Sequence, residues 1–201
     1  MYAVVENNNI TQFINYPKSI VIADVRYPAK IFTMWSKAEK EAIGIYEIET
    51  DSSNYKDPAY YNNTNEEYTF ANNKVVKSWG TATAKSLDDI NAVDEDGNPV
   101  LENGVQVVIE GLKTQKKRIV KQQAAGLLAP TDWVIIKAKE TGTNIPANIK
   151  TWRADVRTKS NEMEAMIDAC TTVDELKALY EYTEQQDGTF TRPLPEFPEE
   201  I

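Results

Sequence analysis

Arg153 and Arg157 stand four residues apart in TWRADVRTKS, a spacing that on a helix puts two guanidinium groups one turn apart. Such a pair can clamp a carboxylate or phosphate, or it can form ordinary surface ion pairs with nearby Asp and Glu. Tyr55, Tyr60 and Tyr61, within NYKDPAYYNN, offer aromatic faces beside Asn and Asp, a mixture suited to stacking on sugar rings. The alternative is an irregular loop that uses its tyrosines as part of a core. In DEDGNP, Asp94, Asp96 and Gly97 have the flavour of a calcium loop. The alternating oxygen ligands and closing Glu of an EF-hand are missing, so the stretch reads as a solvated turn.

What is missing narrows the chemistry further. The 201 residues include no His and a single Cys, Cys170. Imidazole-based triads and dyads are excluded, as are His-bearing zinc sites and thiolate metal clusters. Carboxylates are plentiful, but no spacing selects an acid–base pair, and Gly126-Leu127-Leu128 reads as a helix end, not a phosphate cradle. The expectation is a non-enzymatic protein with no metal and no cofactor. A net charge of −9 repels phosphate backbones, so no nucleic-acid partner is expected. MYAVVENNNI lacks the basic and apolar regions of a signal peptide, and no run of about eighteen apolar residues could span a membrane. A soluble protein, cytosolic or particle-borne, is expected.

The elements that would position these residues give an α+β fold: a small β-rich N-terminal domain with one short helix, then a helical C-terminal module and an extended Pro-rich arm. Residues 1–82 form the first domain. Tyr2–Val5 and Ile10–Ile14 read as strands around the turn Glu6-Asn7-Asn8-Asn9, since Asn tolerates left-handed backbone. Ser19–Val25 supplies a further extended run. Ser36-Lys37-Ala38-Glu39 is a capping box opening a short helix that Gly44 ends. Ile45–Ile48 alternates as a strand, and Tyr68–Trp79 reads as a hairpin turning at Ala71-Asn72-Asn73.

Residues 83–109 read as a linker carrying a β-hairpin at Asn103-Gly104, with an earlier helix start at Val105 as the competing reading. Residues 110–184 form the helical module. Between Glu110 and Leu128, Leu112, Ile119, Val120, Ala124 and Leu127 share one side. Lys113, Lys116, Lys117, Arg118 and Lys121 fall elsewhere. This is the one basic segment of an acidic chain. It is either a solvated face or, through Lys116, Lys117 and Lys121, a docking surface for an acidic partner, a second copy of the chain included.

Pro130 cannot continue that helix and biases Ala129 away from helical geometry. Thr131 is placed to cap the next helix, with Asp132 in its first turn, where negative charge is favoured. Trp133 is expected inside the bend, filling the wedge between two helices. Pro146 opens a longer helix to about Cys170, with Ile149, Trp152, Val156, Met163, Ile167 and Cys170 at core spacing. Thr172-Val173-Asp174-Glu175 is a second capping box before a last short helix. Residues 185–201, with three Pro in the last nine, form the extended arm, whose apolar Leu194, Phe197 and Ile201 could dock on a partner.

Leu127-Leu128-Ala129, Thr131-Asp132-Trp133, Ile145-Pro146 and Trp152-Arg153 with Val156-Arg157 together resemble the C-terminal module of bacteriophage tail assembly chaperones and tail-fibre assembly proteins. The likeness covers residues 115–201. It includes the Pro-rich end Pro193-Leu194-Pro195-Glu196-Phe197-Pro198. The N-terminal part is similar in general plan to accessory proteins of large tailed marine phages. The resemblance implies a role without catalytic residues: contact with phage tail or tail-fibre proteins, in the virion tail or in the host cytoplasm during assembly. In the short chaperones the Pro-rich end follows soon after the Arg-bearing helix. Here TTVDELKALYEY intervenes, which leaves open whether the protein departs after assembly or stays in the particle. A host-surface glycan-binding module built on Tyr55, Tyr60 and Tyr61 is the alternative.

Overall fold

The computed structural model describes all 201 residues and is α+β, with two compact units, Met1–Thr83 and Ala84–Ile201. In the first unit the strands are β1 (Tyr2–Glu6), β2 (Asn9–Ile14), β3 (Ile20–Ile22), β4 (Val25–Tyr27), β5 (Ile45–Thr50), β6 (Tyr61–Asn62), β7 (Glu66–Ala71) and β8 (Lys74–Trp79). Helices α1 (Ile31–Met34) and α2 (Lys37–Glu41) lie between β4 and β5. A five-stranded sheet runs β2-β1-β5-β8-β7, antiparallel except for the parallel β5–β8 pair.

The hairpin turns follow their residue types. Asn7 and Asn8, and again Asn72 and Asn73, all take positive φ, the backbone that a two-residue turn between right-twisted strands requires. The run expected across Ser19–Val25 is instead a third hairpin, β3–β4, turning at Ala23 (φ 47°) and Asp24 (φ 65°). Ala rarely adopts that conformation, so its sequence carries no turn signal.

Alternation along β1 sends Val4 to one face and Ala3 and Val5 to the other. Val4 packs with Ile14, Ile20, Ile22, Ile31, Phe32 and Ile45. Ala3 and Val5 pack with Val75, flanked by Tyr46, Ile48 and Phe70. The two edge strands meet through side chains: Phe13 on β2 and Tyr68 on β7 have ring centroids 4.6 Å apart. Two short helices stand where one was expected. The capping box opens α2, with Glu39 Oε2 accepting from Ser36 N at 2.7 Å, while α1 precedes it and buries Ile31 and Phe32. Gly44 ends this segment at φ 83°. A Cβ there would lie 2.6 Å from the Val5 carbonyl oxygen, which β1 brings close.

In the second unit residues 84–111 are not a linker. Strand β9 (Thr83–Ala84) marks the boundary, and β10 (Ile90–Asn91), β11 (Leu101–Glu102), β12 (Val105–Gln106) and β13 (Val108–Ile109) form a small meander. β10 pairs with β13, and β11 pairs with β12. The Asn103-Gly104 turn is formed, with both residues at positive φ, so no helix starts at Val105. At 94–99 the turn reading holds too: Asp94 Oδ1 accepts from the backbone of Asp96 and Asn98.

Helix α3 (Leu112–Leu128) then begins on this meander. Leu112 N and Lys113 N donate to the carbonyls of Ser86 and Leu87, and Gly111 N donates to the Asp89 carboxylate. A Cβ on Gly111 would sit 2.3 Å from the Asp88 carbonyl carbon, so this close seat excludes any side chain.

After α3 come a 3-10 turn (Ala129–Thr131), α4 (Asp132–Thr141), α5 (Ala147–Ala169) and α6 (Val173–Ala178). Gly142 ends α4 at φ 68°. Pro146 sits one residue ahead of α5, as its cap, and not in its first turn. Leu112, Val120 and Ala124 of α3 are buried, as are Val156, Met163 and Ile167 of α5 and Leu176 of α6. Ile119, grouped with the apolar side of α3, is exposed instead, because the buried stripe follows Val120 and Ala124. No helix is long and apolar enough to cross a membrane.

Candidate functional site

The chain reaches the corner after α3 without leaving helical geometry. Ala129 has φ −54° and ψ −45°, so the expected break ahead of Pro130 does not occur. Pro130 falls at the start of the 3-10 turn, where its missing N–H leaves no bond unmade. Nor does Thr131 cap α4: its hydroxyl turns back and donates to the Leu128 carbonyl at 2.9 Å.

The inside of the bend belongs to Arg153, and not to Trp133. From α5, Arg153 Nη1 donates to the Leu128 carbonyl at 2.7 Å and to the Thr131 hydroxyl, and Nη2 donates to Asp132 Oδ1 at 2.6 Å. One guanidinium thereby satisfies the orphan carbonyl at the end of α3, the hydroxyl of the turn and the first-turn carboxylate of α4. Arg153 is 6% exposed. A buried charge is tolerable only with such partners. Trp133, one residue beyond Asp132, is carried outward and is 61% exposed. The expectation of a Trp wedge is therefore corrected: with Asp132 turned toward α5, its neighbour a hundred degrees on faces elsewhere.

Arg157, one turn along, is exposed and donates to the Arg153 carbonyl at 3.2 Å, so the two guanidinium groups form no joint clamp. Trp152 lies in the core beside Ala124 and Val156, with Leu127, Leu128 and Phe197 against them. Its indole N–H donates to the Glu199 carbonyl at 2.7 Å.

The arm is held by its own module. Thr183–Glu184 (β14) and Phe190–Thr191 (β15) pair as a hairpin turning at Gly188, then Leu194 N donates to the Leu179 carbonyl and the Leu194 side chain is buried. Leu194 and Phe197 were expected to reach a partner. Phe197 instead packs against the Trp152 cluster and Leu194 is buried within the module, since burying apolar side chains against the chain's own core removes them from water. Ile201 is exposed.

In the basic segment, read either as a solvated face or as a docking surface, the lysines have partners within the chain. Lys117 Nζ lies 2.6 Å from Asp168 and Lys121 Nζ lies 3.1 Å from Glu164, both on α5. Lys116 Nζ lies 4.6 Å from the centre of the Tyr180 ring. The Asp168 carboxylate raises the Lys117 ammonium above its ordinary value. Tyr60 and Tyr61 are 5% and 6% exposed, and Tyr55 packs on Trp79 with centroids 4.9 Å apart. The proposed sugar platform is corrected in that respect: two of its three ring faces are inside, and the loop serves as core.

What remains open is α4. Trp133 and Ile136 point outward, and beside Trp133 runs a shallow groove of about 250 Å³ lined by Val134, Lys137, Ala138, Pro146 and Ile149. It is an apolar surface rimmed by lysine, with no carboxylate among its lining residues and no group poised for proton transfer. Nowhere do three or more His, Cys, Asp or Glu side chains gather to hold a metal ion. Arg153, offered by the sequence as half of a clamp or of a surface ion pair and as part of the structural motif, is the residue inside the bend: the buried positions of α5 run 152, 153, 156, 160, 163 and 167, which puts that Arg on the core stripe. Compared with family models, with curated proteins and with solved structures, the chain matches none.

Proposed function

We propose that this protein is a non-enzymatic bacteriophage tail accessory protein that acts by protein–protein contact. It is either an adaptor of the tail or tail fibre, or an assembly factor for it. The observation that carries the reading is the corner: in the segments that resemble the tail-assembly module, Leu127-Leu128-Ala129, Thr131-Asp132-Trp133 and Trp152-Arg153, the Arg153 guanidinium bonds Leu128, Thr131 and Asp132. The corner ties the start of α4 to α5 and leaves Trp133 outside. An aromatic on a helix tied into the fold and not itself buried suits a contact with another protein. The glycan alternative draws no support from Tyr60 and Tyr61, which are buried.

Quantitative mass spectrometry of purified phage particles beside infected-cell lysate tests this. Peptides at a fixed ratio to a tail protein in the particle identify a structural component. Peptides only in lysate, co-purifying with a tail or fibre protein, identify a departing assembly factor. A chain found with neither is not a tail protein.

A further inference from the structure

The meander of residues 84–111 is built inside out. Its buried apolar residue is Ala92, while Ile90, Val93, Leu101, Val105, Val108 and Ile109 are exposed. What holds the lobe is polar: Gln106 Nε2 lies within 2.8–3.3 Å of the carbonyls of Ala92, Val100 and Val107. Apolar side chains gathered on one small lobe mark a contact surface. The lobe is also acidic, with seven carboxylates against a single lysine, Lys85; Asp88 and Glu110 at its base pair with Lys113 and Arg118 of α3, which leaves the excess negative charge toward the 94–102 end. At its tip Glu102 and Val105 are directly paired across the Asn103-Gly104 turn, and Val105 is 68% exposed.

The groove of α4 has the opposite character. Trp133 stands beside Lys137, whose Nζ lies 5.8 Å from the ring centre, and the cleft between α4 and α5 continues to Lys139 and Lys150. One surface offers apolar groups flanked by negative charge. The other offers apolar groups flanked by positive charge.

We infer that the occupant of the α4 groove is the meander tip of a second copy of this chain, Val105 against Trp133 and Glu102 toward Lys137. Lobe-to-lobe pairing is disfavoured by the like charge of the lobes, so the contact joins the lobe of one copy to the groove of another. The inference rests on reading the α4 face as a protein-contact surface and names what it contacts.

Sedimentation equilibrium of the full chain tests it, with Val105→Lys and Trp133→Ala as variants whose altered side chains are exposed and whose folding circular dichroism checks. Wild type is expected to show a mass that rises above 22.7 kDa with concentration and falls back as salt is added. Each variant alone is expected to remain at the monomer mass. An equimolar mixture retains one intact lobe and one intact groove, so it is expected to form a dimer and nothing longer. A wild type that stays monomeric at every concentration overturns the inference. So does self-association that survives in either variant, or a mixture that does not dimerise. Failure here, with Trp133→Ala still reducing recovery of the chain alongside tail proteins, removes the self-contact and leaves the tail reading standing. A chain that self-associates but accompanies no tail protein does the reverse.

Discussion

Arg153 Nη2 lies 2.6 Å from Asp132 Oδ1 across twenty-one residues of chain, with the Arg side chain 7% exposed and the Asp side chain 55% exposed. The asymmetry sets what each end contributes. Asp132 is bathed in solvent and adds little by charge alone, whereas Arg153 also satisfies the Leu128 carbonyl and the Thr131 hydroxyl from inside the fold.

Replacing Arg153 by Met is therefore expected to destabilise the second unit by about 2–4 kcal/mol, since it removes three hydrogen bonds at once and leaves the Leu128 carbonyl with the Thr131 hydroxyl as its side-chain donor. Asp132→Asn, at the exposed end, is expected to cost about 0.5 kcal/mol. Urea unfolding followed by circular dichroism measures both. Equal effects would mean that the ion pair, and not the carbonyl bond, holds the corner.

The two tryptophans of the motif are expected to behave oppositely. Trp152→Ala removes a core side chain and a hydrogen bond to Glu199, with a loss of about 3–5 kcal/mol. Trp133→Ala changes stability by less than about 0.5 kcal/mol, as for other surface substitutions. Iodide quenching provides a second readout: Trp133→Phe lowers the quenchable share of the emission to what the half-buried Trp35 and Trp79 contribute, and Trp152→Phe leaves the Trp133 share in place.

Deleting residues 194–201 takes away Leu194, Phe197 and the Glu199 carbonyl together. The expected result is a red shift of Trp152 emission and a lower denaturation midpoint. Leu194→Ala alone is expected to cost about 2–4 kcal/mol. An arm that served only a partner would leave both measurements unchanged.

Stability is expected to be flat from about pH 6 to 8.5, because no His titrates there. Acid weakens the fold. Backbone and hydroxyl hydrogen bonds from Thr171, with Thr172, hold the Glu175 carboxyl below its ordinary value of 4.5. A hydrogen bond from the Gly111 backbone, with Thr114, lowers Asp89. A lowered folded-state value means that the contribution is present above the unfolded value and is lost as pH falls through the folded one. Glu175→Gln is expected to lower stability at neutral pH and to flatten the acid limb. In alkali the sign reverses. Burial pushes the Cys170 thiol above 9.0, and the Asp168 contact raises Lys117 above 10.5, so stability falls as pH climbs past those unfolded values. Thermal unfolding across pH reads both limbs.

Much of the local structure was legible in the residues because its causes lie within four positions of one another. Asn7-Asn8, Asn72-Asn73 and Asn103-Gly104 specify left-handed turns, and Ser36…Glu39 and Thr172…Glu175 specify helix starts, whatever surrounds them. The α+β class and the extent of the long helices followed from the same short-range rules. Ala23-Asp24 broke the pattern, since a turn of that type there is imposed by the strands it joins. Which side of a helix faces inward was a different matter. Arg153 inside and Trp133 outside depend on how α4 is rotated against α5, and that rotation is set by hydrogen bonds across more than twenty residues. The same holds for the arm, whose Leu194 and Phe197 are apolar in any reading. Only the tertiary structure decided that Phe197 covers this chain's own Trp152, that Leu194 is buried, and that Trp133 and the apolar meander stay outside, because burial is a property of what lies opposite a side chain and not of the side chain alone.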